Sequence, residues 1–431
     1  MPAPGPERRR CLTGTALNLE RKVRTDPRAR IAGAFGIAFG LFAGTGTAGL
    51  AMALALAGLW GLFFGFTARG RPLDRSLGQT VKRAGEAWLF LFLFVFWVLM
   101  TSFWSPAQGL AAETVRRLAT LAILGPIVVW AVHACTGQDR LLAQRAIVAG
   151  VFTALAILTS EAISHYAMTY IATPYKEPLE IAGDMGRGAT ATLVLFWVAF
   201  ACLHQQQSDT RVRFALVVLA LFVAFQFGTD LNALGLVVGT LVALLTLRIP
   251  RFMLALVTAG TAVLVAAAPM IYPTLADLAH RALPGEAMPL SYGRRAQMWE
   301  VASHLIMQKP LTGWGLGAGS TFDAPIAYGG ISWPIIQLHP HSAPLHIWLE
   351  TGGIGALLAS LAIVTGGGVA IRLYGRYPVA AAALAGGLTF LAISWGFSHA
   401  AWREWVWVSF AALIAFSAML RNPRRWRQAR Q

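Results

Sequence analysis

Three short stretches of the chain carry side chains able to handle an anion and a proton. The first is Asp184-Met185-Gly186-Arg187-Gly188, where Arg187 directly precedes an apolar run. An arginine there either anchors a helix end at the headgroups or clamps an anion at the start of the following helix, where backbone N–H groups and the helix dipole already favour phosphate. The second stretch, Ser291 to Trp299, holds Arg294 and Arg295. Adjacent helical residues point about 100° apart, so at most one of the pair shares a site with Arg187 and the other is a solvated charge. A guanidinium suits a pyrophosphate because it donates two parallel hydrogen bonds and stays charged. The third is His339-Pro340-His341. Either imidazole, neutral near its unperturbed pKa, can accept a hydroxyl proton, and Glu350, at the start of the next apolar run, can orient a histidine or cap a helix.

Competing readings of the same residues are weaker. Zinc needs three or four ligands, and no cysteine or carboxylate cluster at ligand spacing accompanies the two histidines, so no metal and no cofactor are expected. The run Gly313-Trp314-Gly315-Leu316-Gly317-Ala318-Gly319 has the composition of a phosphate loop but neither a preceding strand nor a following Lys-Ser/Thr pair, and reads as a flexible turn. Glu161 with His165, and Asp230 with Asn232, lie near the ends of apolar segments, where ionisable and polar groups cost little.

These residues are embedded in a chain that is overwhelmingly apolar. Of 431 residues 56% are hydrophobic and 13% charged, with a formal charge of +16, whereas a soluble domain carries roughly 25% charged residues. An ordinary cytosolic enzyme is thereby excluded, and the positive surplus reads as membrane orientation rather than nucleic-acid binding. About twelve spans are expected, near 31–47, 49–66, 87–104, 118–135, 145–163, 188–204, 212–228, 231–247, 252–272, 345–371, 379–398 and 404–420. Gly44-Thr45-Gly46-Thr47 breaks the first long run into a hairpin. With both termini cytoplasmic, roughly 26 of the 35 Lys+Arg fall inside, as the positive-inside rule requires. No cleavable signal peptide is expected, since the first residues are polar. The expected division is a basic cytoplasmic segment 1–30, helices over 31–272 interrupted by a short outer loop 164–187, a long outer loop 273–344, helices over 345–420, and a basic tail 421–431. Cys11, Cys135 and Cys202 all fall in or near the cytoplasmic half, so no structural disulfide is expected. Within the long loop, Gly293 to Gln308 has helical periodicity and Pro310 ends it.

The motifs Arg295-Ala296-Gln297-Met298-Trp299, Lys309-Pro310-Leu311-Thr312-Gly313-Trp314-Gly315-Leu316-Gly317, His339-Pro340-His341-Ser342 and Glu350-Thr351-Gly352-Gly353-Ile354-Gly355 occur in that order. Together they resemble the bacterial O-antigen ligase and polymerase superfamily. The resemblance implies an all-α membrane glycosyltransferase of the GT-C type in the bacterial inner membrane, with its active site on the periplasmic face. It implies an undecaprenyl-diphosphate-linked glycan as donor and a sugar hydroxyl of lipid A-core as acceptor. It makes Arg187 and Arg295 the diphosphate ligands and His341 the base, with Trp299 and Glu350 supporting them. The family's usual Asn after the histidine is Ser342 here.

Elementary chemistry fits that implication. A diphosphate departs well once its charge is neutralised, which two arginines can do without Mg²⁺, and one positioned histidine then suffices to deprotonate the acceptor. Direct displacement inverts the anomeric configuration, and no pair of outer carboxylates suggests a covalent intermediate. A transporter would place its site near the midplane between related halves, while this chain gathers its chemistry on one face. A polymerase differs from a ligase only in its acceptor. The outer positive residues Lys176, Arg281, Lys309 and Arg403 would steer the acidic core of a lipopolysaccharide and so favour the ligase.

Overall fold

The computed structural model describes residues 27–65, 85–133, 135, 137–227, 230–283, 288–328, 331–334, 336 and 339–421. Most of the basic N-terminal segment with Cys11, the loop bearing Arg69, Arg71, Arg75, Lys82 and Arg83, and the tail beyond Arg421 lie outside these residues. The described chain is helical: α1 (Pro27–Gly44), α2 (Leu50–Gly65), α3 (Glu86–Thr101), α4 (Gln108–His133), α5 (Gly137–Ile163), α6 (Ala167–Ala172), α7 (Pro178–Val194), α8 (Phe196–Gln205), α9 (Thr210–Gln226), α10 (Asp230–Arg248), α11 (Pro250–Ala266), α12 (Ala268–Ala282), α13 (Leu290–Gln308), α14 (Ala343–Tyr374), α15 (Pro378–Phe397) and α16 (Glu404–Ala418). A hairpin of β1 (Pro325–Tyr328) and β2 (Ile331–Pro334), with Ile326 opposite Trp333, interrupts the long loop and was not anticipated from its sequence.

Large apolar side chains such as Phe92 on α3 and Phe225 on α9 are exposed on the helix surfaces. In water such surfaces would be aggregation sites; in a bilayer they are the lipid face. Among the described residues seven helical segments are long and apolar enough to cross a membrane, and the bent pair α11–α12 makes an eighth. The shorter apolar helices Leu50–Phe63 and Glu404–Ala418 fall below the length that a straight crossing of about 30 Å requires. The protein is thus an all-α polytopic membrane protein.

Two boundaries differ from expectation in ways that matter for the site. The span expected over 252–272 ends at Ala266, and the chain turns by 89° into α12. Pro269, in the first turn of α12, has no N–H to bond the preceding turn, and its ring would clash with a continuing helix. Nor does the helix bearing Arg187 begin beside it: α7 starts at Pro178. Arg187 therefore sits in mid-helix, where the backbone N–H groups are already bonded, and the expected helix-terminus contribution to anion binding is absent. Its place is fixed by packing. A Cβ at Gly188 would lie 2.1 Å from the Ala43 carbonyl oxygen, so only glycine allows α7 to press against the end of α1.

Candidate functional site: a cationic cavity beside a satisfied carboxylate

A cavity of about 230 Å³ opens at one end of the bundle, lined among others by Arg187, Asn232, Arg295, His339, His341, Ser398, His399 and Arg403. Of the residues singled out in the sequence, Arg187, Arg295, His339 and His341 thus come together from α7, α13 and the segment before α14. Arg294 does not line the cavity; its neighbour Arg295 does, with its guanidinium 5.8 Å from the Tyr292 ring. Sequence reasoning missed His399 altogether and placed Arg403 on the general surface. Both lie in the short link between α15 and α16, at the same end of the bundle as Arg187 and His341.

The two histidines differ in what their ring nitrogens do. His341 Nδ1 donates to the Ser398 carbonyl oxygen at 3.2 Å, which leaves the proton off Nε2 and makes that atom an acceptor. His339 Nδ1 instead accepts the His341 backbone N–H at 3.1 Å, so its own proton is on Nε2. His341 has φ of 49°, a left-handed backbone conformation. The next residue, Ser342, caps α14 by accepting the Leu345 N–H at 3.3 Å. Serine and asparagine are equally good N-caps, so the departure from the family's asparagine preserves the helix start. The partner that orients His341 is the Ser398 carbonyl.

The electrostatics of the cavity are one-sided. Enclosure pushes His341 down to about 4, helped by Arg295, against the upward pull of the Ser398 carbonyl, with Arg294 and Arg403 adding to the depression. Enclosure and the neighbouring His341, Arg187, Arg295 and Arg403 bring His399 to about 3, and His339 lies well below the ordinary range for the same kind of reason. All three imidazoles are neutral at physiological pH. The nearby carboxylate, Asp184, is shared by Arg187 and by Lys176, whose Nζ is 2.7 Å away. Arg403 has no carboxylate within ion-pair distance among the described residues, and Glu404 beside it is 3.6 Å from Arg117.

Glu350 lies fully buried behind this cavity rather than in it. Its carboxylate accepts the Trp402 Nε1–H at 2.6 Å and the Gly319 N–H at 3.1 Å, and lies 2.9 Å from His346 Nε2. His346 Nδ1 in turn accepts the Ala401 N–H at 3.2 Å. The residue Glu350 orients is therefore His346, one turn earlier, not His339 or His341. Through Trp402 and Ala401 the pair fixes the link that carries Ser398, His399 and Arg403. Trp299 also acts at a remove: it packs edge-on against Tyr272 at 5.1 Å and against Phe397 at 6.0 Å, behind Arg295.

The glycine run is not the flexible turn its composition suggests. Gly352 breaks α14 with φ of 64°, and the carbonyls freed upstream are taken by the run: Trp314 N–H bonds Leu349 O at 2.9 Å and Gly315 N–H bonds Glu350 O at 3.0 Å. A Cβ at Gly313 would meet the Glu350 backbone at 2.5 Å, so the glycines are there for close backbone approach. The surplus outer cations are also accounted for locally. Lys176 pairs with Asp184, Arg281 with Asp277 at 2.8 Å, and Lys309 lies 4.2 Å from the Trp314 ring, which leaves Arg403 alone of the four facing the cavity. Glu161 accepts the Thr169 hydroxyl at 2.9 Å, away from the cavity, while Asn232 lines the cavity and accepts from Thr190 at 3.0 Å. Cys135 and Cys202 are both buried.

The described residues thus form a polytopic helical membrane protein with arginines and neutral histidines around one cavity. Comparison with known proteins narrows this. Residues 181–360 match the family model described as O-antigen ligase, a stretch that contains Arg187, Arg295, His339, His341 and Glu350. A protein of Rickettsia conorii named "Putative polysaccharide ligase" is 27% identical over 231 residues, covering 51% of this chain and 53% of its own length. Relatives bearing the same description in Rickettsia felis and Rickettsia prowazekii are 24% and 23% identical over 230 and 236 residues, covering 54% and 55% of their own lengths. The chain thus spans about half the length of the relatives it matches.

Proposed function

We propose that this protein is a GT-C-type glycosyltransferase that joins an undecaprenyl-diphosphate-linked O-antigen to a sugar hydroxyl of lipid A-core. The observation that carries the reading is the meeting of Arg187, Arg295 and His341 on one cavity, with the His341 tautomer set by the Ser398 carbonyl. His341 Nε2 takes the acceptor's hydroxyl proton as the oxygen attacks the anomeric carbon. The bond to the diphosphate oxygen breaks on the opposite face, its electron pair leaves with the diphosphate, and the product is inverted. Arg187 and Arg295 receive the developing charge. His339, protonated at Nε2, is the poorer base and supports the His341 backbone. The twelve-span topology, with both termini cytoplasmic and the loop 273–344 and the cavity periplasmic, belongs to the same proposal. A cysteine placed at Asp277 should then react with an impermeant thiol reagent in intact spheroplasts; reaction only after lysis would reverse the orientation.

The ligase is preferred over a polymerase because of the family description, since three of the four outer cations once assigned to the acceptor are engaged locally. Purified protein given labelled undecaprenyl-diphosphate glycan and lipid A-core in EDTA, without ATP, should label lipid A-core in one step. Lengthening of the lipid-linked glycan with lipid A-core unlabelled would make it a polymerase.

A further inference from the structure

Arg403 is the residue of the cavity that neither the family motifs nor the residue pattern assigned to the donor. It is half-buried at the N-cap of α16, lines the same cavity as Arg187 and Arg295, and has no carboxylate within ion-pair distance among the described residues. Burial and the neighbouring Arg187 disfavour the Arg403 cation more than Glu404 and Asp184 favour it, a cost to the empty protein. The arrangement makes sense if an anion completes it.

We propose that Arg403 is a third ligand of the diphosphate, acting mainly on the charge that appears as the glycosyl bond breaks. The inference rests on the donor reading above. Lys176, Asp184 and Arg187 together leave one surplus positive charge, because the carboxylate is shared between the two cations. Arg295 and Arg403 face the same cavity. When the bond from the anomeric carbon to the diphosphate oxygen breaks, that oxygen keeps the electron pair and the leaving group gains one negative charge. Arg187 and Arg295 meet the bound donor, and Arg403 on the same cavity meets the charge that develops in the transition state and remains on the released diphosphate. The link that bears Arg403 is pinned by Trp402 and Ala401 to the Glu350–His346 pair, so the guanidinium is held in place before the substrate arrives.

The experiment uses the full chain in nanodiscs with R403Q, R403K, R187Q and R295Q variants. Melting temperature is read without ligand, and affinity is measured for the released product, undecaprenyl diphosphate, and for the intact glycan donor. R403Q should melt at the same or a higher temperature than the unsubstituted protein. It should bind undecaprenyl diphosphate about 10- to 100-fold more weakly and lose less affinity for the donor, with kcat falling more than KM rises. R403K should recover part of the product affinity. A lower melting temperature for R403Q would assign Arg403 to the fold, and equal losses for product and donor would make it a ground-state contact; either overturns the proposal. If R403Q binds both lipids as the unsubstituted protein does while R187Q and R295Q do not, the third ligand is wrong and the donor reading stands. If none of the three substitutions to Gln weakens binding, the donor reading itself fails.

Discussion

Two buried polar clusters lie next to each other in this protein and are built on opposite principles. Around Glu350 the carboxylate accepts from Trp402 and Gly319 and faces the His346 Nε2, and His346 spends its other nitrogen on Ala401. Around the cavity, positive charge outnumbers negative, and His341 keeps its Nε2 as an acceptor. A satisfied buried network holds a structure in one arrangement, whereas an unbalanced one marks where a substrate completes the charge. Proximity along the chain to the histidine motif does not separate the two, since Glu350 sits only nine residues from His341.

The widest separation should come from His341→Ala. Transfer should fall by about 10²- to 10⁴-fold while donor binding and melting temperature stay close to those of the unsubstituted protein; unchanged turnover would remove the base from the cavity side of the comparison. Glu350→Ala should do the reverse, losing about 3–5 kcal/mol of stability in a melting or denaturant series because it strands His346, Trp402 and the Gly319 N–H. Activity would fall along with it as the link from Ser398 to Arg403 shifts. A Glu350→Ala protein as stable as the original would collapse the distinction between the clusters.

Smaller effects sharpen the same contrast. Arg187→Lys and Arg295→Lys should each lower kcat/KM by about tenfold or more, since an ammonium keeps the charge but loses the paired donors. Full activity in both would reduce the arginines to general electrostatics. The pH profile is the mildest readout. His341 is held at about 4, below the ordinary value near 6.5. As pH falls from 6.5 towards 4 the unfolded chain takes up a proton that the folded state refuses, so stability present above 6.5 is lost over that window. The base itself stays unprotonated through it, and the acid limb of kcat/KM should lie near 4. Arg295→Gln removes the largest source of repulsion after enclosure and should move that limb upward; a limb fixed near 6.5 in both proteins would place the base outside this cavity.

Much of the site could be read from residue types alone, because function demands chemistry that the rest of so apolar a chain does not contain. Arg187, Arg295, His339 and His341 stood out for that reason. His399 and Arg403 did not, although Ser398 to Arg403 is a short polar link on the same face; pairing the loops by side of the membrane would have found it. The role of Glu350 is not legible from its residue type, because its partner, His346, lies at i−4 on the same helix. The glycine run was misjudged because positive φ in a mobile turn and positive φ in close backbone contact call for the same residue. Its partners are carbonyls released by Gly352, far along the chain. The 89° turn at Ala267 was invisible within a single apolar stretch, where only Pro269 marked it.

The break at Gly352 also bears on how the protein responds to its solvent. An unbroken helix of the 32 residues Ala343–Tyr374 would be about 48 Å long and would act as a stiff rod, carrying any tilt imposed by bilayer thickness from one end to the other. With its hydrogen-bond ladder interrupted at Gly352 and the upper segment tied to Trp314 and Gly315, the rod becomes two levers joined at a pivot. The lower lever can follow the membrane. The upper one, carrying His346 and Glu350 directly after the histidine motif, is tied to Trp314 and Gly315, so the registration of His341 against Ser398 should change little between thin and thick bilayers.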